Sequence, residues 1–133
     1  MIPRLQMPDV PKRAAGYFTG SAMDLIDLFI GFAERDLDLA VWGHISDGNV
    51  HPNLIPRRHD DVVAGVEVIY ELGKSVIALG GCPLTEHGVG RSPTKQALLG
   101  LLYGAAGVEA MRGVKRALDP DGRLAPGVIF AAQ

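Results

Sequence analysis

Apolar positions along this chain recur with two different periods, and the switches between them mark its elements. In "SAMDLIDLFIGFAER", Leu25, Leu28, Phe29 and Phe32 return at intervals of three and four, and Ser21 offers an N-cap. That spacing predicts an amphipathic helix over about 22–35. "DLDLAVWGH" (36–44) first alternates polar and apolar and then turns wholly apolar, which predicts a strand entering a core with Trp42 inside it. After "PRRHDD", whose acidic residues suit the first turn of a helix, Val62, Val63, Val66, Ile69, Tyr70 and Gly73 form a helical stripe. It runs to about Leu79, where Gly80–Gly81 end it. Ser92 followed by Pro93 is a cap and first-turn proline, opening a helix through about Tyr103. Val108, Met111, Val114, Lys115 and Leu118 mark a last helix, stopped by Asp119–Pro120.

The remaining segments are connectors. Prolines forbid helix in residues 1–13, an extended lead-in, and "AAGYFTG" (14–20) reads as a short strand. "GGCPLTEHGVGR" is a glycine-rich loop or short strand, "DGRLAPG" a turn and "VIF" an apolar tail. The expected fold is a single α+β domain: a small antiparallel, ferredoxin-like sheet with helices on one face and a C-terminal helical hairpin. Two or three strands make a thin sheet, and its open edges suit pairing with a second copy, a homodimer.

Composition narrows the function classes. With 133 residues, a net charge of −2 and scattered basic residues, no nucleic-acid surface stands out. Arg57–Arg58 and Lys115–Arg116 read as solvated faces. No apolar run reaches the roughly 18 residues of a transmembrane segment. A single cysteine, Cys82, excludes an intrachain disulfide; it reads as a buried small hydrophobe, and a cytoplasmic setting is expected.

Two stretches concentrate groups able to do chemistry. In "GHISDGNVHPN", His44 and His51 flank the turn-forming Asp47-Gly48-Asn49. A reversal there would let both imidazoles converge on one point, as ligands of zinc, iron or manganese must. Two histidines capping the backbone of a tight turn would leave the same pattern. In "TEHGVGR", Glu86 and His87 offer a ligand beside a general base, or a surface polar pair. The fourth histidine, His59, reads as a solvated helix-entry residue.

Taken together and in order, "GHISDGNVHPN", "LGGCPLTEHGVGR" and "MRGVKRALDPDGRLAPG" resemble the C-terminal (cap/substrate) part of FAD-linked oxidases. That family includes D-lactate dehydrogenases, the glycolate oxidase flavin subunit and D-2-hydroxyglutarate dehydrogenase. The resemblance covers about residues 37–130. It implies oxidation of a 2-hydroxy acid to a 2-oxo acid by hydride transfer to FAD. It implies a divalent metal, zinc or manganese, on His44, His51 and Glu86, with His87 as base, Asn53 at the substrate, and Asn49 and Gly127 at the cofactor. Ser46, Ala125 and Val128 depart from the family's usual "GDGN" and "NPGK". The family's substrate-clamping cations lie upstream, where Arg4, Lys12 and Arg13 are the available residues.

The flavin diphosphate-binding domain that precedes this region in the family is not among the 133 residues. Completing the site would take that domain or subunit as partner, and the isolated chain is expected not to turn over substrate. Two other uses fit the same residues: a flavin-free metal-binding module, and a degenerate cap acting in oligomerisation or interaction.

Overall fold

The alternation in "DLDLAVWGH" becomes strand β1, Asp38–His44, and its partner is the segment that carries the second histidine, β2, Asn49–Ile55. The computed structural model describes residues 36–44 and 49–131. The strands pair antiparallel, with His44 opposite Asn49, Trp42 opposite His51 and Ala40 opposite Asn53. Among the described residues these two strands are the whole sheet. The strand expected at 14–20 and the helix expected at 22–35 lie outside the described residues.

β2 is absent from the sequence-based expectation, yet "NVHPNLI" alternates faithfully. Asn49, His51 and Asn53 fall on one face; Val50, Pro52 and Leu54 fall on the other. Pro52 costs the two-stranded sheet little, because its missing N–H can face away from the single partner strand. Helix α1, His59–Ala78, meets the apolar side at Leu54. A side chain at Gly65 would press on Leu54 Cδ1 at 3.2 Å, so glycine sets how closely this helix approaches β2.

That close approach also corrects the expected helical stripe. The buried positions of α1 are Asp61, Gly65, Val68, Leu72 and Gly73, whereas Val62, Val63 and Val66 are exposed. Hydrophobicity alone pointed to the valines. The face that packs is the one bearing the small residue, and among the described residues before Glu86 the buried apolar side chains are Val68, Leu72 and Leu84. The helix entry is as expected, with His59 exposed at its first position. Asp61 accepts from the backbone N–H groups of Arg57 and Arg58, satisfying donors that no helical carbonyl can reach. Arg57, expected to be merely solvated, lies within 3.4 Å of both Asp36 and Asp38 and ties the start of β1 to the helix entry.

The chain divides into two compact units, Met1–Glu86 and His87–Gln133. The second is built on helix α2, Pro93–Leu118, whose cap Ser92 accepts from the Lys95 N–H as the Ser-Pro pair predicts. Leu98, only 2% exposed, and Leu99 are its buried apolar residues. The break expected between two C-terminal helices falls at Gly104, whose backbone (φ 66, ψ 175) is not helical. By length and composition α2 is apolar enough to cross a membrane. Interrupted at Gly104, neither 93–103 nor 105–118 reaches the roughly 20 residues a span requires.

The segment after α2 folds back on the helix. Ile129 N–H donates to the Gly90 carbonyl at 2.8 Å, and Gln96 Nε2 donates to the Gly127 carbonyl at 2.9 Å. The Arg112 guanidinium lies over the Phe130 ring, 4.8 Å from its centroid. Buried Asp119 accepts from the N–H groups of Arg123 and Leu124 and from Lys115, which also reaches the Leu124 carbonyl. Lys115 is therefore a structural tie rather than the solvated residue the sequence suggests. Cys82 is half-buried. Among the described residues, two helices and a small antiparallel sheet make the fold α+β, as expected.

Candidate functional site

The period-two alternation of β2 gathers the predicted polar residues on the sheet face opposite α1. His51 Nε2 lies 3.0 Å from Glu86 Oε2, and Asn49 Nδ2 donates to the same oxygen at 2.5 Å. Asn49 is buried and His51 half-buried, while the Glu86 side chain remains 37% exposed. One imidazole, one carboxylate and one amide thus meet from two segments 37 residues apart. The carboxylate is held in place yet open to solvent.

Two backbone features make this meeting possible. Gly43 has φ +142, and a Cβ there would overlap the Asn49 carbonyl oxygen and lie 3.1 Å from Val50 Cα. Only glycine lets the end of β1 come so close to the strand that starts the site. Glu86 itself has φ 61, a left-handed conformation that few non-glycine residues adopt. Such conformations cost on the order of 1–3 kcal/mol and gather at functional sites.

The other predicted residues are placed as follows. His44 ends β1 opposite Asn49 in the register. Asn53 lies two positions beyond His51 in β2, and its amide donates to the His51 carbonyl at 2.9 Å. His87 follows Glu86 in the chain and opens the second unit, where it is exposed. Gly127 belongs to that unit too; its φ of 77 is left-handed, and no atom lies within 4 Å of where a Cβ would stand. Asn49, His51 and Glu86 are therefore brought together, while Gly127 is set on a separate tie to Gln96.

Trp42 is the clearest departure. Expected in the core, it is 55% exposed and stands across from His51 in the register. Register decides this: partners in an antiparallel pair share a face, so the residue opposite His51 shares the face of the site. The sequence signal was the alternation of "NVHPNLI", which fixes the phase of both strands.

Comparison with known proteins adds the context. The family model described as FAD linked oxidases, C-terminal domain, matches residues 12–129. The glycolate oxidase subunit GlcD of Bacillus subtilis is 35% identical over 101 residues, 74% of this chain and 21% of the relative. The D-2-hydroxyglutarate dehydrogenase of Stutzerimonas stutzeri is 33% identical over 111 residues, 80% of this chain and 24% of the relative. The probable mitochondrial D-lactate dehydrogenase of Danio rerio is 34% identical over 92 residues, 68% and 18% respectively. The chain spans about a fifth of the length of these relatives.

Proposed function

The chain belongs to the C-terminal domain family of FAD-linked oxidases, and on that premise we propose that it is the substrate-side part of an enzyme converting a 2-hydroxy acid to a 2-oxo acid. Three relatives bear names built on glycolate, D-2-hydroxyglutarate and D-lactate, all of them 2-hydroxy acids. The observation that carries the reading is the His51–Glu86 pair at 3.0 Å, backed by the Asn49 amide on the same face of the sheet.

The reaction breaks a C–H and an O–H bond in the substrate. FAD, when bound by its own domain or subunit, supplies the acceptor for the hydride from carbon. His87 accepts the hydroxyl proton, as a neutral imidazole near neutrality can, provided the hydroxyl comes within roughly 3 Å. Asn53 holds the substrate, and the Asn49 amide fixes the Glu86 carboxylate. Gly127, with no side chain and no atom within 4 Å of where a Cβ would stand, lets the cofactor approach that side of its backbone.

His44, His51 and Glu86 would hold a divalent ion, zinc or manganese, which lowers the pKa of a bound hydroxyl and orients its C–H bond. The donor set fits. Two atoms bound to one zinc at tetrahedral angles lie roughly 3.4 Å apart, so the 3.0 Å His51–Glu86 pair needs only a slight opening. Calorimetric titration of Zn2+ into the chain tests this part, with His51→Ala and Glu86→Gln each expected to abolish uptake. Equal uptake by all three proteins would overturn the ligand assignment. For the reaction itself, this chain would replace the C-terminal part of the Bacillus subtilis GlcD relative. Hydroxy-acid-dependent bleaching of the flavin, lost in His87→Gln, is the expected result; bleaching that survives the substitution removes His87 as base.

A further inference from the structure

The site face carries a large side chain that the reaction, as read above, does not use. Trp42 is the chain's single tryptophan and stands 55% exposed across from His51. Cross-strand partners on one face have Cβ atoms about 4.5–5.5 Å apart, so the indole rises beside the imidazole that meets Glu86. The next position of β1 on that face is Ala40, opposite Asn53. Its side chain there is only a methyl group. The face thus sets polar donors and acceptors at Asn49, His51 and Glu86 beside a broad apolar ring.

A lone exposed apolar side chain needs no explanation. A tryptophan paired in register with a member of the site is different, because whatever binds at His51 must pass within contact distance of the ring. A 2-hydroxy acid has matching parts, a polar head of carboxylate and hydroxyl and a carbon side chain on the same carbon. We propose that Trp42 is a specificity-determining residue, its indole forming the wall against which the substrate's carbon side chain lies while the polar head sits at His51 and Glu86. This rests on the reading in the preceding subsection. It selects 2-hydroxy acids with short apolar side chains over glycolate, which has none. A second carboxylate on the side chain gains nothing from the ring, because water must be stripped from it without a new partner. Burying one methylene is worth about 0.8 kcal/mol, or about fourfold in affinity per added carbon.

The experiment uses the full chain with Zn2+ and the series glycolate, D-lactate, D-2-hydroxybutyrate and D-2-hydroxyvalerate. Binding is measured by calorimetry, and indole emission is followed in parallel, since Trp42 is the sole tryptophan. Affinity is expected to climb about fourfold per carbon, with emission shifting to the blue as the ring is covered. Trp42→Ala should flatten the series, and Trp42→Phe should keep part of the slope. A slope that Trp42→Ala retains, or acid binding without any change in emission of the natural chain, overturns the proposal. Zinc uptake with no acid binding overturns it too, but leaves the metal ligands standing. Absence of zinc uptake instead removes the metal site on which both readings rest.

Discussion

Gly43 and Asn49 lie so close across the β1–β2 hairpin that even a methyl group on Gly43 would overlap the Asn49 carbonyl oxygen. The obstacle is backbone, which cannot swing aside as a side chain can. The φ of +142 adds a conformation that L side chains rarely adopt. Gly43→Ala should therefore destabilise the protein by roughly 1–3 kcal/mol, read as a lower urea midpoint. It should also weaken zinc uptake, because the hairpin register delivers Asn49 and His51 to Glu86. A variant with unchanged midpoint and unchanged uptake would show that the hairpin can shift without disturbing the site.

Asn49 is buried and gives its amide to Glu86, placing it behind the proposed ligand rather than among the proposed ligands. Partners of this kind orient a ligand, and their removal costs roughly 10–100-fold in metal affinity. Asn49→Ala is expected to lower zinc affinity by that factor without abolishing it, whereas Glu86→Gln should abolish it. Titrations of the two variants side by side separate the roles. If Asn49→Ala binds zinc like the natural chain, the Glu86 carboxylate does not depend on that hydrogen bond for its position.

Local chemistry made much of this legible. Ser92–Pro93 marked the start of α2, Gly80–Gly81 the end of α1, and the alternation of residues 36–44 gave β1, because caps, turns and pleats are written within a few residues of where they act. β2 escaped because its polar residues drew other readings: Asn49 as part of a turn, His51 as a metal ligand and Asn53 as a substrate contact, so their regular spacing went unused. Missing the strand misplaced Trp42, whose face is set by its partner and not by its own hydrophobicity. The stripe on α1 held at Gly73 but failed at Val62, Val63 and Val66, since packing followed the small Gly65 and not the valines. The meeting of His51 with Glu86 depends on a left-handed backbone at Glu86, which no local pattern of side chains announces.

Gly104 interrupts α2 in a conformation (φ 66, ψ 175) that is open almost solely to glycine. No atom lies within 4 Å of a Cβ placed there, so the restriction is conformational and not one of space. Gly104→Ala should cost on the order of 1–3 kcal/mol if the break is kept, seen as a lower melting temperature with unchanged helical signal. A gain in far-ultraviolet helical signal at unchanged melting temperature would mean that α2 straightens through residue 104, and that the break has no structural function.

Asp119 closes the last turn after α2, and its environment makes a prediction about acid. The Lys115 ammonium that donates to it holds its carboxyl below the ordinary carboxylate value; burial opposes this, and the N–H groups of Leu124 and Arg123 add to the lowering. A carboxyl whose pKa is depressed in the folded state contributes stability that is complete above the unfolded value, about 3.9. That contribution is lost as the pH falls through the folded value. Asp61 is depressed as well, chiefly by the backbone N–H of Arg57, so part of the acid sensitivity belongs to the entry of α1. The urea midpoint of the natural chain should therefore fall steeply between about pH 5 and pH 2. In Asp119→Asn the midpoint at neutral pH should be lower and the fall shallower, with the share due to Asp61 remaining. Parallel curves for the two proteins across that range would mean that the tie among Lys115, Asp119 and Leu124 contributes nothing to folding, and that the segment carrying Gly127 is held by the contacts of Gln96, Ile129 and Phe130.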